Sequence, residues 1–478
     1  MLFNSLNFAI FLPIVFVLYW VLNKKSPKFQ NLLLLGASYY FYASWDWRFL
    51  FLLMFSTLLD YYSGLQLQSN KNENTRKLWF WSSIVINLGF LAVFKYYNFF
   101  ADSMALALSN LGFKVSLWSL KVILPVGISF YTFHGLSYVI DVYKRRIEPE
   151  SNFVDYSLFV SFFPLLVAGP IERATHLLPQ IKVRRSFDYT KAIDGLRQIL
   201  WGLVKKVVIA DQCAIYANDI FNNSANFSGS TLVMGAFFFA IQIYGDFSGY
   251  SDMALGTARL FGIELLQNFS YPYFSRDIAE FWRRWHISLS TWFKDYLYIP
   301  LGGSKGNTWS KVRNTFVVFL VSGFWHGANW TFVAWGALNA LFIMPSILLK
   351  TNRNNLNVVA QGKIFPTPKE LMYMVITFSL TCFAWIFFRA ENISHALQYI
   401  SSIANASIFS APEVLPKKYF IVLLLFFVIE WAGREQKFAL EVFGLRWNRV
   451  FRWLFYYVLC ISIICMSGEE EQFIYFQF

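Results

Sequence analysis

Charge is scarce in this chain of 478 residues: Asp, Glu, Lys and Arg make up 14%, against 56% hydrophobic and 21% aromatic residues. Soluble domains carry about 25% charged residues, so the chain holds more apolar side chain than one water-facing core buries. Cysteine is limited to Cys213, Cys382, Cys460 and Cys465, without CxxC or ligand spacing and with three in apolar runs. That excludes a sequence-encoded disulfide framework or zinc site, and all four read as packing residues. Internal repeats, a Gly-rich phosphate loop and low-complexity linkers are also missing.

What the chain does have is apolar runs near the roughly 20 residues that cross about 30 Å of hydrocarbon, recurring from end to end. The whole of 1–478 therefore reads as one integral membrane domain, an all-α polytopic protein in a lipid bilayer. The net charge of +13 could suggest nucleic acid, but the basic residues fall in short loops between apolar runs, the distribution of positive-inside topology. The first run, Asn7 to Leu22, has no positive residue before it and Lys24, Lys25 and Lys28 after it. It is expected to stay as an anchor with its N-terminus outside.

Helices are expected at about 31–44, 49–66 and 79–97, followed by an outside loop from Asn98 to Leu117. From Leu124 the pattern breaks, with Pro125, Gly127 and Gly135 inside an apolar run; the Pro- and Gly-interrupted 159–173 suits a re-entrant element. Arg197, Lys205 and Lys206 in 193–212 suggest an interfacial helix on the cytoplasmic face. A long helix follows at 231–250, then a basic cytoplasmic region from Tyr271 to Arg313, then apolar stretches at 314–349, 370–388, 419–432 and 450–467. The expected total is about ten or eleven helices.

Polar groups at membrane depth are costly, and five histidines make a short list of functional candidates. His326 sits about a dozen residues into an apolar stretch, in VSGFWHGANWTFVAWG, with Trp325 and Asn329 close by. It could bridge helices; equally, a neutral imidazole there could take the proton of an attacking hydroxyl during acyl transfer. Gly327 beside it is expected to leave room for substrate. His286 lies among Trp282, Trp285, Trp292, Arg283, Arg284 and Lys294. An aromatic interfacial belt is the ordinary explanation, while the cations could hold the phosphates of a coenzyme A donor or an acidic carrier protein. Asp246, with Asp252 nearby and glycines at 245, 249 and 256, marks a close helix crossing with either a paired structural carboxylate or a functional one. His134, His176 and His395 are expected to be non-catalytic.

FWRRWHISLSTWFKDYLYIPLGGSKG, followed some forty residues later by SGFWHGANWTFVAWG, resembles the membrane-bound O-acyltransferase (MBOAT) superfamily, and more narrowly its bacterial alginate O-acetyltransferase branch. LPVGISFYTF, FFPLLVAGPIER, YGDFSGYSDMALG and the terminal FIYFQF match as well, so the similarity covers nearly the whole chain. The resemblance implies a ring of helices with broken, re-entrant and interfacial elements around a central tunnel. It implies His326 as the essential histidine and His286 as the second. It further implies no bound cofactor, acetyl-CoA or another acyl thioester as cytoplasmic donor, and a periplasmic or extracellular acetyltransferase partner that modifies an exported polysaccharide. The site would lie in the bacterial cytoplasmic (inner) membrane, with Arg283, Arg284 and Lys294 near the donor and Trp325, Asn329 and Asp246 around the substrate. D-alanylation of teichoic acid from a carrier protein is the competing reading within the superfamily. A polysaccharide or ion transporter and an inactive export scaffold compete from other classes.

Overall fold

Backbone in hydrocarbon must satisfy its own N–H and C=O groups, and the apolar runs accordingly fold as helices. The computed structural model describes residues 1–22, 26–113, 118–120, 123–167, 169–468 and 473–474, among which the regular structure is entirely helical. Lys24, Lys25 and the Tyr475–Phe478 part of the terminal motif lie outside the described residues. Six described helices are long and apolar enough to cross a membrane: Trp47–Ser69, Glu73–Asn110, Gly229–Leu260, Trp330–Leu348, Pro368–Arg389 and Arg449–Met466. The chain divides into two compact units, Met1–Gly195 with Thr257–Leu266, and Leu196–Gly256 with Gln267–Phe478.

In the first unit, Phe8, Phe11, Phe41 and Phe163 cluster, with Phe11 and Phe163 edge to face at 5.4 Å. Polar residues inside its helices pair across them: Asp60 accepts from Ser83 at 2.6 Å and Asn87 at 2.8 Å, and Asn31 donates to Asp155 at 2.8 Å. Such bonds join helices where the hydrophobic effect between apolar surfaces is weak. Gly127, at φ 72°, starts the Ile128–Tyr143 helix, and Gly135 continues it, its missing Cβ leaving space for the Asp60 carboxylate. The expected outside loop after Asn98 is instead helix as far as Asn110. Low charge is shared by outside loops and exposed apolar helices, and the Ala-Leu-Ala-Leu run at 105–108 favours helix.

The second unit is organised around Gly229–Leu260, which is buried along most of its length. A π-helical segment, Val204–Ala210, joins Tyr189–Leu203 to Asp211–Asn222. The chain crosses Gly229–Leu260 closely at Gly202: a Cβ on Gly249 would lie 2.7 Å from the Gly202 carbonyl oxygen, and one on Gly245 2.9 Å from that of Lys205. The crossing expected from the glycine spacing thus forms at 245 and 249. Residues 193–212 are not an interfacial helix, because Lys205 and Lys206 are buried and ion-paired rather than turned to the cytoplasmic surface. Thr308–His326 and Trp330–Leu348 also pack closely, through Gly323 and Gly336.

The crossing gives a direct test. Gly249→Ala forces backbone apart and should cost about 1–3 kcal/mol, lowering Tm of the detergent-purified protein. Gly36→Ala, where a Cβ meets nothing within 4 Å, should leave Tm unchanged or raise it. Equal melting of the two variants would contradict the crossing.

Candidate functional site

His286 stands at the junction of two short helices, Ile278–Arg284 and Ile287–Phe293, and is 2% exposed. Its backbone is left-handed, φ 44° and ψ 55°, a conformation that costs a non-glycine residue about 1 kcal/mol or more and persists only where the surroundings enforce it. The enforcement is visible. Ile287 N–H donates to the Asn268 carbonyl at 2.9 Å, and Ser270 N–H to the Arg284 carbonyl at 3.0 Å. The imidazole Nδ1 lies 3.2 Å from Asn268 Oδ1, and the ring meets the face of Phe247 at 4.7 Å and 89°.

His326 is the last residue of Thr308–His326 and 5% exposed. Its ring is held edge to face by Trp335 at 5.2 Å and by Phe388 at 5.5 Å. The aromatic wall continues from Trp335 to Trp385 at 5.6 Å and from Trp385 to Trp285 at 5.2 Å, the residue before His286. Two buried imidazoles therefore share one aromatic wall. The sequence suggested room for substrate beside Gly327, but that space is filled. A Cβ there would run into the Phe332 ring, which occupies that side.

The other expected residues are distributed differently. Arg283 donates to the carbonyls of Asn352 and Asn355, both at 2.8 Å, and Arg284 pairs with Glu280 at 2.8 Å and reaches the Asn357 carbonyl. Both guanidinium groups thus brace the 352–357 loop, whose carbonyls return over their helix. Lys294 is exposed. Asn329 caps Trp330–Leu348, accepting from Thr331 N–H at 3.0 Å and donating to the Glu391 carbonyl at 2.7 Å, so it shapes the turn after His326 rather than lining an open pocket. Trp325 is half-buried one residue before His326. Asp246 accepts from Lys206 at 2.9 Å and from the Ile474 N–H at 2.7 Å, the paired-carboxylate arrangement. His134 accepts from Glu172 N–H, His395 faces Ser224, and His176 pairs with Glu172, whose carboxylate raises the His176 pKa above its ordinary value.

The sequence did not reveal the buried ion-pair cluster that shares a small cavity with Asn268, the partner of His286. Lys205 lies 3.0 Å from Asp252 and 3.3 Å from Glu430, and Lys206 lies 2.6 Å from Asp211. Trp201 and Tyr244 donate to Glu430, and Gln198 donates to Asp252 at 2.8 Å. Phe473 and Ile474 are fully buried against this region, Phe473 packing 4.4 Å from Tyr250 and 6.2 Å from Phe247. The missed signal was Glu430, a lone carboxylate deep in an apolar run.

A chain of membrane-length helices, with His286 and His326 buried along one aromatic wall, can be set against known proteins. The model described as MBOAT, membrane-bound O-acyltransferase family, matches residues 34–388. The chain belongs to this family. It is 39% identical over 398 residues to a Pseudomonas aeruginosa protein named probable alginate O-acetylase, covering 83% of this chain and 73% of the relative. It is 37% identical over 434 residues to the peptidoglycan O-acetyltransferase of Helicobacter pylori, covering 85% and 80%. The teichoic acid D-alanyltransferase of Bacillus subtilis is 27% identical over 286 residues, covering 56% and 70%. The protein is a membrane-bound O-acyltransferase.

Proposed function

We propose that this enzyme takes acetyl from acetyl-CoA at the cytoplasmic side of the inner membrane and delivers it, through an extracytoplasmic acetyltransferase partner, to hydroxyls of an exported polysaccharide, with its N-terminus outside. The observation that carries the reading is the pair of buried imidazoles, His326 and His286, sharing one aromatic wall. His326 accepts the proton of the attacking hydroxyl as its oxygen bonds to the thioester carbonyl carbon; the C–S bond then breaks and the thiolate takes that proton back. His286 supports the base. Of the three cations expected near the donor, Lys294 is exposed and meets the anionic donor, while Arg283 and Arg284 also hold the 352–357 loop. Acetyl is favoured over D-alanyl because similarity to the two relatives named for acetylation covers more of the chain, at higher identity, than similarity to the D-alanyltransferase.

Membranes carrying the protein, its partner and the polymer should transfer radiolabel from [14C]acetyl-CoA to polymer. Label arriving only from a D-alanyl carrier protein would overturn the choice of donor. Label from neither donor would overturn the transfer reading.

A further inference from the structure

We infer that Asn268 is a positioning residue for His286: its side-chain carbonyl fixes the imidazole as the tautomer protonated on Nδ1, leaving Nε2 as the basic nitrogen. The inference rests on the reading that His286 serves acyl transfer. Nothing in the sequence drew attention to Asn268, which lies 18 residues before His286 and is 1% exposed.

The orientation of its amide is set by neighbours whose roles are unambiguous. Ser288 N–H can only donate, and it points at Asn268 Oδ1 at 3.4 Å; Ser288 Oγ donates to the same oxygen at 2.7 Å. Turning the amide over would set Nδ2 against a backbone N–H, donor facing donor, so the oxygen must face this side. His286 Nδ1, 3.2 Å from that oxygen, then has to carry the proton. Which nitrogen of a functional histidine is basic is commonly decided by the bond its other nitrogen makes. Asn268 also lines a polar cavity of about 10 Å³ with Ser248, Ser251, Tyr271, Lys205 and Asp252. The Asn268 main chain acts in the same direction, since its carbonyl holds Ile287 N–H and with it the left-handed backbone of His286.

Two substitutions separate positioning from mere packing. Asn268→Leu keeps the approximate volume and removes the acceptor; acetyl transfer from [14C]acetyl-CoA should fall about 10- to 100-fold, the size of effect known for partners that orient metal-ligating histidines, with detergent elution unchanged. Asn268→Asp keeps an acceptor but adds negative charge, which favours the imidazolium. Transfer should persist at high pH, with its acid limb displaced to higher pH because His286 supports the base only when neutral. The charged groups around this ring, His326 and the Lys205–Asp252 pair, are the same in both proteins. Wild-type transfer with Asn268→Leu equally active, or with an Asn268→Asp profile superimposed on wild type, would overturn the inference. If Asn268→Leu fails to fold, the Asp profile decides alone. Absence of transfer in the wild type with either donor would instead overturn the functional reading.

Discussion

Replacing His326 with alanine is expected to lower acyl transfer by about 10²- to 10⁴-fold, the range a positioned general base contributes, while the protein still accumulates in membranes. The fold should survive because Trp335 and Phe388 also pack on Trp385, so the aromatic wall does not depend on the imidazole. His326→Gln separates chemistry from shape: it restores a polar side chain of similar reach that cannot take a proton at neutral pH, and should be as inactive as alanine. Initial rates normalised to immunodetected protein give the comparison. Wild-type rates in His326→Gln would reduce His326 to helix bridging and remove the base from the mechanism.

The second large effect is on stability. Glu430→Ala removes an acceptor shared by Trp201, Tyr244 and Lys205, all within one unit. Breaking a buried ion pair by deleting one partner costs about 3–5 kcal/mol, because the other charge and its donors are left without compensation. Glu430→Ala should therefore melt well below wild type in detergent or fail to accumulate. Glu430→Gln, which keeps an acceptor for the two aromatic donors while Lys205 retains Asp252 at 3.0 Å, should lose much less. Similar melting of the two variants would show that charge at this position is immaterial and that the cluster works by shape.

The sequence exposed the two histidines because imidazole is rare in an apolar chain and because ordered motifs surround them. It also exposed the glycine crossing at 245 and 249, since small residues spaced along one helix have few other uses. Lys205 and Lys206 were misplaced for a definite reason. Charge counting assigns cations to the cytoplasmic surface, but these two are retained by Asp211, Asp246, Asp252 and Glu430, of which only Asp211 is near in sequence and Glu430 lies more than 200 residues along the chain. Arg283 was expected near the donor because a guanidinium suits phosphate, and Asn329 near the substrate because it follows His326 closely; which backbone groups they also hold depended on loops whose course no periodicity describes. Gly327 illustrates the same limit. A missing side chain signals close approach, but not whether substrate or, as here, the Phe332 ring makes it.

Each turn of the π-helical segment Val204–Ala210 takes in about one residue more than an α-turn. Adjacent residues on an α-helix diverge by about 100°, yet Lys205 and Lys206 both reach inward, each to its own pair of acids. The length of this stretch is therefore a specification in its own right, separate from its composition. Loss of one codon between 204 and 210 would relax the backbone into ordinary helix, turn one lysine away, and be felt at Asp246 or Asp252 as a missing counter-ion although neither acid had changed.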